Sequence, residues 1–232
     1  MIAEDVRKEL NNLADPEKAV VLQRFFKTGP GQYGEGDIFL GITVPKSREV
    51  AKKFSQLALE QVRILLHSGI HEERMVALLI LVRKYAKVND AQEQIAKFYL
   101  ENIKKINNWD LVDLTAPNIL GSHLVNKDRR LLYKLAKSPN TWERRIAIVS
   151  TLHFIKHHEF EDTLRIAGIL LKDDHDLIHK AVGWMLREVG KRDVKAEENF
   201  LNKYYQAMPR TMLRYAIEKF PDAKKRRYMK KS

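Results

Sequence analysis

At 232 residues, 44% of them apolar and 9% aromatic, the chain is long enough to bury a substantial core, which excludes a disordered or fibrous polymer. Its 42 Lys and Arg against 30 Asp and Glu leave a formal charge of +12, which favours polyanionic partners, nucleic acid first and an acidic membrane second. The absence of cysteine rules out a disulfide scaffold and a thiolate-zinc site and suits a reducing compartment.

The N-terminus is charged from Glu4 onward and has no apolar signal core, and the longest apolar run, residues 75 to 82, is far short of a membrane span. A cytoplasmic protein is therefore expected. Helical periodicity dominates the chain, and the few Gly and Pro residues punctuate it without marking strands, so the fold class is all-α. Asp15-Pro16-Glu17 has the form of an N-cap acid followed by a proline at the first helical position. Ser138-Pro139-Asn140-Thr141 opens another helix and Met208-Pro209 a third. One region is irregular: residues 28 to 45 hold five of the ten glycines and two of the seven prolines and read as a long loop between helices. Gly29, Gly31 and Gly34 satisfy G-x-G-x-x-G there, but a dinucleotide site needs a strand before and a helix after, and the flanks supply neither.

A repeat runs through the rest. When Arg74-Met75-Val76-Ala77, Trp109-Asp110-Leu111-Val112, Arg144-Arg145-Ile146-Ala147, Ile178-His179-Lys180-Ala181 and Leu213-Arg214-Tyr215-Ala216 are aligned, their last residues are spaced 35, 35, 34 and 35 apart. Such a period predicts stacked helix pairs whose equivalent faces line one concave surface. The tetratricopeptide signature does not recur, so a HEAT-like array in a single domain over residues 1–232 fits better, with the loop at 28–45 and a basic tail at 223–232. Taking the small or branched marker residue as inward, Arg74, Trp109 and Arg144 share a slot, Arg145 lies one step on, and Asp113 and Trp184 fall just beyond the marker. Their helices are expected to converge on one groove. Trp142, at a helix start beside Pro139, reads as a core residue. Trp109 and Asp113 lie four residues apart, which on a helix puts an indole and a carboxylate on one face. Trp184 follows Gly183, which removes side-chain cover beside it.

At these residues the chain resembles the AlkD-like DNA alkylation-repair glycosylases, over about residues 15 to 220. The segments that carry the resemblance are Phe-Leu-Gly-Ile-Thr-Val-Pro-Lys-Ser-Arg at 39–48, Asn-Trp-Asp-Leu-Val-Asp at 108–113, Trp-Glu-Arg-Arg-Ile-Ala at 142–147 and Lys-Ala-Val-Gly-Trp-Met-Leu-Arg-Glu at 180–188. The resemblance implies a right-handed superhelical solenoid of HEAT-like helix pairs with a concave DNA-binding face. It also implies hydrolysis of the N-glycosidic bond of cationic N3- and N7-alkylated purines in duplex DNA, without the base pocket that most glycosylases use. Asp113 matches the family's catalytic aspartate, Trp109 and Trp184 its active-site tryptophans, and Arg145 its active-site arginine. Arg144, Lys180, Arg187 and Phe25 are assigned to DNA contact alongside them. Phe25 stands where some members carry a tyrosine, so a hydroxyl role is lost while a stacking role can persist.

The chemistry also follows from the residues. An alkylated purine that is already cationic leaves without protonation, so a carboxylate that stabilises the oxocarbenium developing on the sugar suffices. At about 4 Å and an effective dielectric near 20, Asp113 would attract a unit charge by roughly 4 kcal/mol. Only the part gained as charge moves from base to sugar accelerates the step. Trp109 and Trp184 can hold the nucleotide by cation–π attraction and exclude water, while Arg145 fixes a phosphate. Asp110, three residues before Asp113, is the internal competitor.

Three histidine pairs, His67 with His71, His153 with His157 and His175 with His179, are spaced for a metal, but each lacks a third ligand, so neither metal nor other cofactor is expected. His175 and His179 are expected to face solvent or phosphate. Arg144 suits a DNA contact and a ladder position between repeats equally. Basic runs at 127–130, at 224–227 and at Lys230-Lys231 can follow a phosphate backbone or simply solubilise the chain. A monomer with no obligate protein partner is expected. The alternative to an enzyme is a HEAT-like module that binds damaged or branched DNA without reacting with it.

Overall fold

The computed structural model describes residues 1–87 and 91–230, and among these every regular element is helical. The chain forms two compact units, Met1–Ile119 and Leu120–Ser232. The basic run predicted at Lys230-Lys231 and the end of the tail lie partly outside the described residues. No described helix is long and apolar enough to cross a membrane.

In the first unit, α1 (Ala3–Asn12) and α2 (Pro16–Phe25) precede the glycine-rich loop, and α3 (Val44–Lys53), α4 (Leu59–Leu66), α5 (His71–Lys87), α6 (Gln92–Glu101) and α7 (Trp109–Thr115) follow it. The sequence signals act as expected at α2: the Asp15 carboxylate accepts the Lys18 backbone N–H at 3.1 Å and Pro16 opens the helix. The loop is shorter than predicted, because Val44 and Pro45 already form the first turn of α3, where a proline loses no hydrogen bond. α5 is buried along most of its length and packs against α3, α4, α6 and α7, which makes it the axis of this unit.

In the second unit the order is α8 (Arg130–Leu135), α9 (Thr141–Ser150), α10 (Leu152–Lys156), α11 (Glu161–Ile169), α12 (Asp176–Gly190), α13 (Val194–Tyr204), α14 (Arg210–Ala216) and α15 (Asp222–Met229). Asn140 caps α9 by accepting the N–H groups of Trp142 and Glu143, at 2.8 and 3.3 Å. α12 is the central helix here, packed against α9, α11, α13 and α14.

Within each unit the helices that carry the sequence register pack against one another, α5 against α7 in the first and α12 against α9 and α14 in the second. The five registers fall on α5, α7, α9, α12 and α14, and the marker residues Ala77, Val112, Ala147, Ala181 and Ala216 are all buried. Each inner helix of a solenoid-like pair needs a small residue where its neighbour crosses, which is why the marker is Ala or Val throughout. Gly183 belongs to the same logic: a Cβ there would collide with the Met212 carbonyl and the Tyr215 Cβ, so the glycine lets α12 approach α14 closely. Its purpose is helix packing, where the sequence reading had it clearing space beside Trp184.

Gly183→Ala should therefore destabilise the protein by about 1–3 kcal/mol in urea titration, the usual cost of overpacking. Gly168→Ala on α11, where a Cβ meets nothing within 4 Å, is expected to be neutral or stabilising by up to about 1 kcal/mol. Equal effects at the two positions would refute the close-approach argument.

Candidate active site

The first unit assembles its polar residues around α5. Glu72, buried on the first turn of that helix, accepts the backbone N–H groups of Leu40, Gly41 and Ile42 at 2.9, 3.0 and 3.1 Å. One carboxylate thus fastens the end of the glycine-rich loop. Gly41 is needed at this point because its φ is +83° and because a Cβ would strike the Asp15 carbonyl. Asp15 in turn donates its backbone N–H to the Leu40 carbonyl at 2.8 Å, which ties the loop to the start of α2.

Beside Glu72, His71 is enclosed by two carboxylates. Its Nε2 lies 2.9 Å from Asp110 Oδ2 and its Nδ1 3.3 Å from Asp37 Oδ2, while Arg74 pairs with Asp37 Oδ1 at 2.6 Å. Burial disfavours the imidazolium, but the Asp110 and Asp37 carboxylates outweigh it and raise the pKa to about 9. Both ring nitrogens therefore donate at neutral pH. Asp37 is held below the usual carboxylate range against the effect of its own burial, by His71 and Arg74. The Asn108 amide also donates to Asp37, at 3.3 Å.

An aromatic column stands on this ion network. Phe39 stacks on His71 at 4.4 Å between centroids, Phe26 stacks on Phe39 at 4.9 Å, and Trp109 stacks on Phe26 at 5.2 Å with an interplanar angle of 13°. Phe25 meets Trp109 edge to face at 6.1 Å and is itself 62% exposed. Trp109 is thus held at a fixed angle by residues from α2 and the loop.

The helix α7 divides its polar side chains by function. Asn108 caps it, the side-chain oxygen accepting the Trp109 N–H at 2.9 Å. Asp110 turns inward to His71 and is buried, whereas Trp109 and Asp113 are only half-buried, on the flank the column supports. Asp113 also acts electrostatically on the buried Tyr99 phenol, whose pKa is pushed upward first by burial and then by this carboxylate; the phenol meets the Thr115 hydroxyl at 3.1 Å.

The second unit holds the other predicted site residues. Trp184 is half-buried on α12. Arg145 is only 4% exposed and donates to the Leu177 carbonyl at 2.5 Å, so it braces the start of α12 from α9. Arg144 forms a two-point pair with Asp173, at 2.6 and 3.3 Å, and donates to the Ser138 carbonyl six residues earlier at 3.0 Å. Arg74, in the equivalent slot, donates to the Ser68 carbonyl, also six residues earlier, at 2.9 Å. In both, the guanidinium bonds the backbone just ahead of its own helix. Lys180 pairs with Asp176 at 2.7 Å and Arg187 with Glu218, so both cations start from internal partners. Trp142 is half-buried at the start of α9, less enclosed than a core residue.

The histidines expected near solvent or phosphate are engaged within the fold. His175 Nδ1 accepts the Leu177 N–H at 3.1 Å as the N-cap of α12, and His179 Nε2 bonds the Asp173 carbonyl. The basic run at 127–130 is similarly paired: Arg129 reaches Asp162 and Glu159 at 2.8 and 2.7 Å, and Arg130 reaches Asp128. Sequence reading missed the roles of Asp37, Glu72 and Arg74 and treated His71 only as half of a possible metal pair. The one available signal was four charged residues, His71 to Arg74, opening a helix that then turns almost wholly apolar.

Comparison with known proteins agrees with this arrangement at the level of fold. Residues 6–220 match the sequence model of a family described as DNA alkylation repair enzyme. A solved structure, a predicted DNA alkylation repair enzyme from Enterococcus faecalis, superposes with a TM-score of 0.67 at 16% identity, covering 90% of this chain and 97% of that one. No curated protein matches.

The pH dependence of stability tests the ion network. A raised pKa means that His71 binds its proton more tightly folded than unfolded. Its contribution is complete below its ordinary 6.5 and is lost as pH rises through about 9. Denaturant titrations are expected to lose on the order of 3 kcal/mol over that window, and His71→Gln should flatten the slope. An unchanged slope in the variant would show that another group titrates.

Proposed function

Since the chain belongs to the DNA alkylation repair enzyme family, we propose that it is a DNA N-glycosylase that hydrolyses the glycosidic bond of cationic N3- and N7-alkylated purines in duplex DNA. The observation that carries this reading is the division of labour on α7. Asp110 is consumed by the buried His71 contact, while Asp113 and Trp109 share a half-buried flank in which the indole is held by stacked phenylalanines. A carboxylate beside a fixed aromatic face suits a reaction whose positive charge moves from base to sugar.

In this mechanism Asp113 faces the sugar of the damaged nucleotide. It stabilises the oxocarbenium as the bond to the base lengthens and orients the water that attacks the anomeric carbon. The departing purine takes the bonding electrons and becomes neutral, so no general acid is required. Trp109 packs against the sugar and keeps bulk water out, and Trp184, half-buried on α12, offers an indole face suited to the same kind of contact. Phe25, exposed at the end of α2, offers an apolar surface without a hydroxyl. Arg145 acts as a positioning residue, because its buried guanidinium supports the start of the helix that bears Lys180, Trp184 and Arg187. Lys180 reaches phosphate by exchanging its exposed Asp176 partner for the DNA backbone, a change worth little for an exposed pair, while Arg187, largely buried beside Glu218, contributes to the same positive flank of α12.

Release of 7-methylguanine and 3-methyladenine from methylated duplex DNA tests the reading. Asp113→Asn is expected to lower the single-turnover rate by about a hundredfold or more while DNA affinity is retained, because a loss of some 3 kcal/mol of transition-state stabilisation has that size. Asp110→Asn is expected to lower thermal stability as well as rate. No release by the unaltered protein, together with tight binding to damaged DNA, would establish the non-catalytic module instead.

A further inference from the structure

A groove of about 780 Å³ runs along the second unit between α8, α11 and α13. The helices that carry the sequence register there, α9, α12 and α14, add nothing to its lining among the described residues, so it shares no residue with the proposed active site. Its apolar lining is Leu164, Ile169 and Phe200, with Ile169 left 38% exposed. Gly168 deepens it: a Cβ at that position meets nothing within 4 Å, so α11 leaves a notch open to a side chain from outside. Apolar surface gathered in a groove with a polar rim marks an interaction site, whereas scattered exposed apolar residues do not.

The charge around the groove selects the partner. Arg130, Lys137 and Arg165 line it, and among the described residues no carboxylate does. Lys203, whose amine lies over the Tyr204 ring at 5.0 Å, adds a fourth cation. Asp128 and Glu161 reach Arg130 and Arg165 at 2.5 and 3.4 Å, but both pairs are exposed and hold little energy. Asp162, which accepts the Tyr133 hydroxyl, is matched by Arg129 at 2.8 Å. Four cations against two weakly held acids leave the groove positive, so an anionic partner fits. The aromatic rings decide which kind. Single-stranded nucleic acid needs bare ring faces on which its bases can stack. Here the Arg165 guanidinium lies over Tyr133 at 4.9 Å, Lys203 lies over Tyr204, and Phe200 is only 6% exposed, packed against Tyr204 at 4.8 Å between centroids. The rings are engaged, whereas the apolar notch and the cationic rim are open. We propose that this groove binds an acidic peptide segment of a partner protein. A large apolar side chain of the segment enters beside Gly168, and its carboxylates meet Arg130, Lys137 and Arg165. Such a contact attaches a second protein without occupying the proposed active site.

Fluorescence anisotropy with the full chain tests it, using a short labelled peptide in which aspartates flank a single phenylalanine. Saturable binding that weakens with added salt is expected, with at least about a tenfold loss when the phenylalanine is replaced by alanine or the aspartates by asparagine. Gly168→Leu fills the notch at a position with room for a side chain, and Lys137→Glu reverses a charge at an exposed position, so both variants should fold. Each is expected to weaken binding about tenfold or more. No binding, an affinity indifferent to the phenylalanine, or unchanged affinity in folded Gly168→Leu and Lys137→Glu would overturn the proposal. An oligothymidylate that binds where the peptide does not, and loses affinity in the same two variants, would assign the groove to nucleic acid instead.

Discussion

Burying the Glu72 carboxylate commits the first unit to one arrangement. A charge taken out of water has to be met by hydrogen bonds, and those that meet it come from three successive backbone N–H groups of the glycine-rich loop. The loop is therefore fixed to α5 by its own backbone, whatever its side chains. Everything above it follows. Fixing residues 40 to 42 sets Phe39 against His71, Phe39 supports Phe26, and Phe26 supports Trp109. A loop of high intrinsic freedom becomes the rigid base of an aromatic column because a single acid holds it at the end that matters.

His71 connects that column to α7. As a cation between Asp37 and Asp110 it is both a ring that stacks and a charge that pairs. The pairing pins Asp110 inward and so settles how α7 is rotated about its axis. With Asp110 turned to the core, Trp109 and Asp113 must lie on the adjoining flank, since successive helical residues are separated by about 100°. The protein thus uses one acid of the Asn-Trp-Asp-Leu-Val-Asp segment to orient the other. A catalytic carboxylate works best in rigid surroundings, and in the proposed mechanism the His71 ion pair would supply that rigidity to Asp113 without itself taking part in the reaction.

The cationic character of the chain is less available than its formal charge of +12 suggests. Arg129, Arg144, Lys180, Arg187 and Lys224 all have carboxylate partners within the fold. The pairs of Lys180 and Lys224 are exposed, so they are weak and exchange readily for phosphate. The Arg129, Arg144 and Arg187 side chains are largely buried, and Arg144 and Arg145 also bond backbone carbonyls, bracing the helices. Affinity for a polyanion should accordingly rest on the exposed cations and be sensitive to salt, with the buried arginines maintaining the helices that present them.

The sequence by itself determined the helical class, the capped starts at Asp15 and Asn140, and the register of the repeat. Each of these is encoded locally, in caps, prolines and the spacing of small inward residues, and each appears in the structure where the pattern puts it. It also singled out the Trp109 and Asp113 pair, because two residues four apart on a helix share a face in any context. What only the tertiary structure decided was which charged residues work for the fold. His71 met Asp37 and Asp110 across separations of 34 and 39 residues; Glu72 met a loop about 30 residues earlier; and Gly183 served the approach of α14, from which it is separated by a whole intervening helix. Contacts of that kind have no spacing to read, since they depend on how the chain folds back on itself.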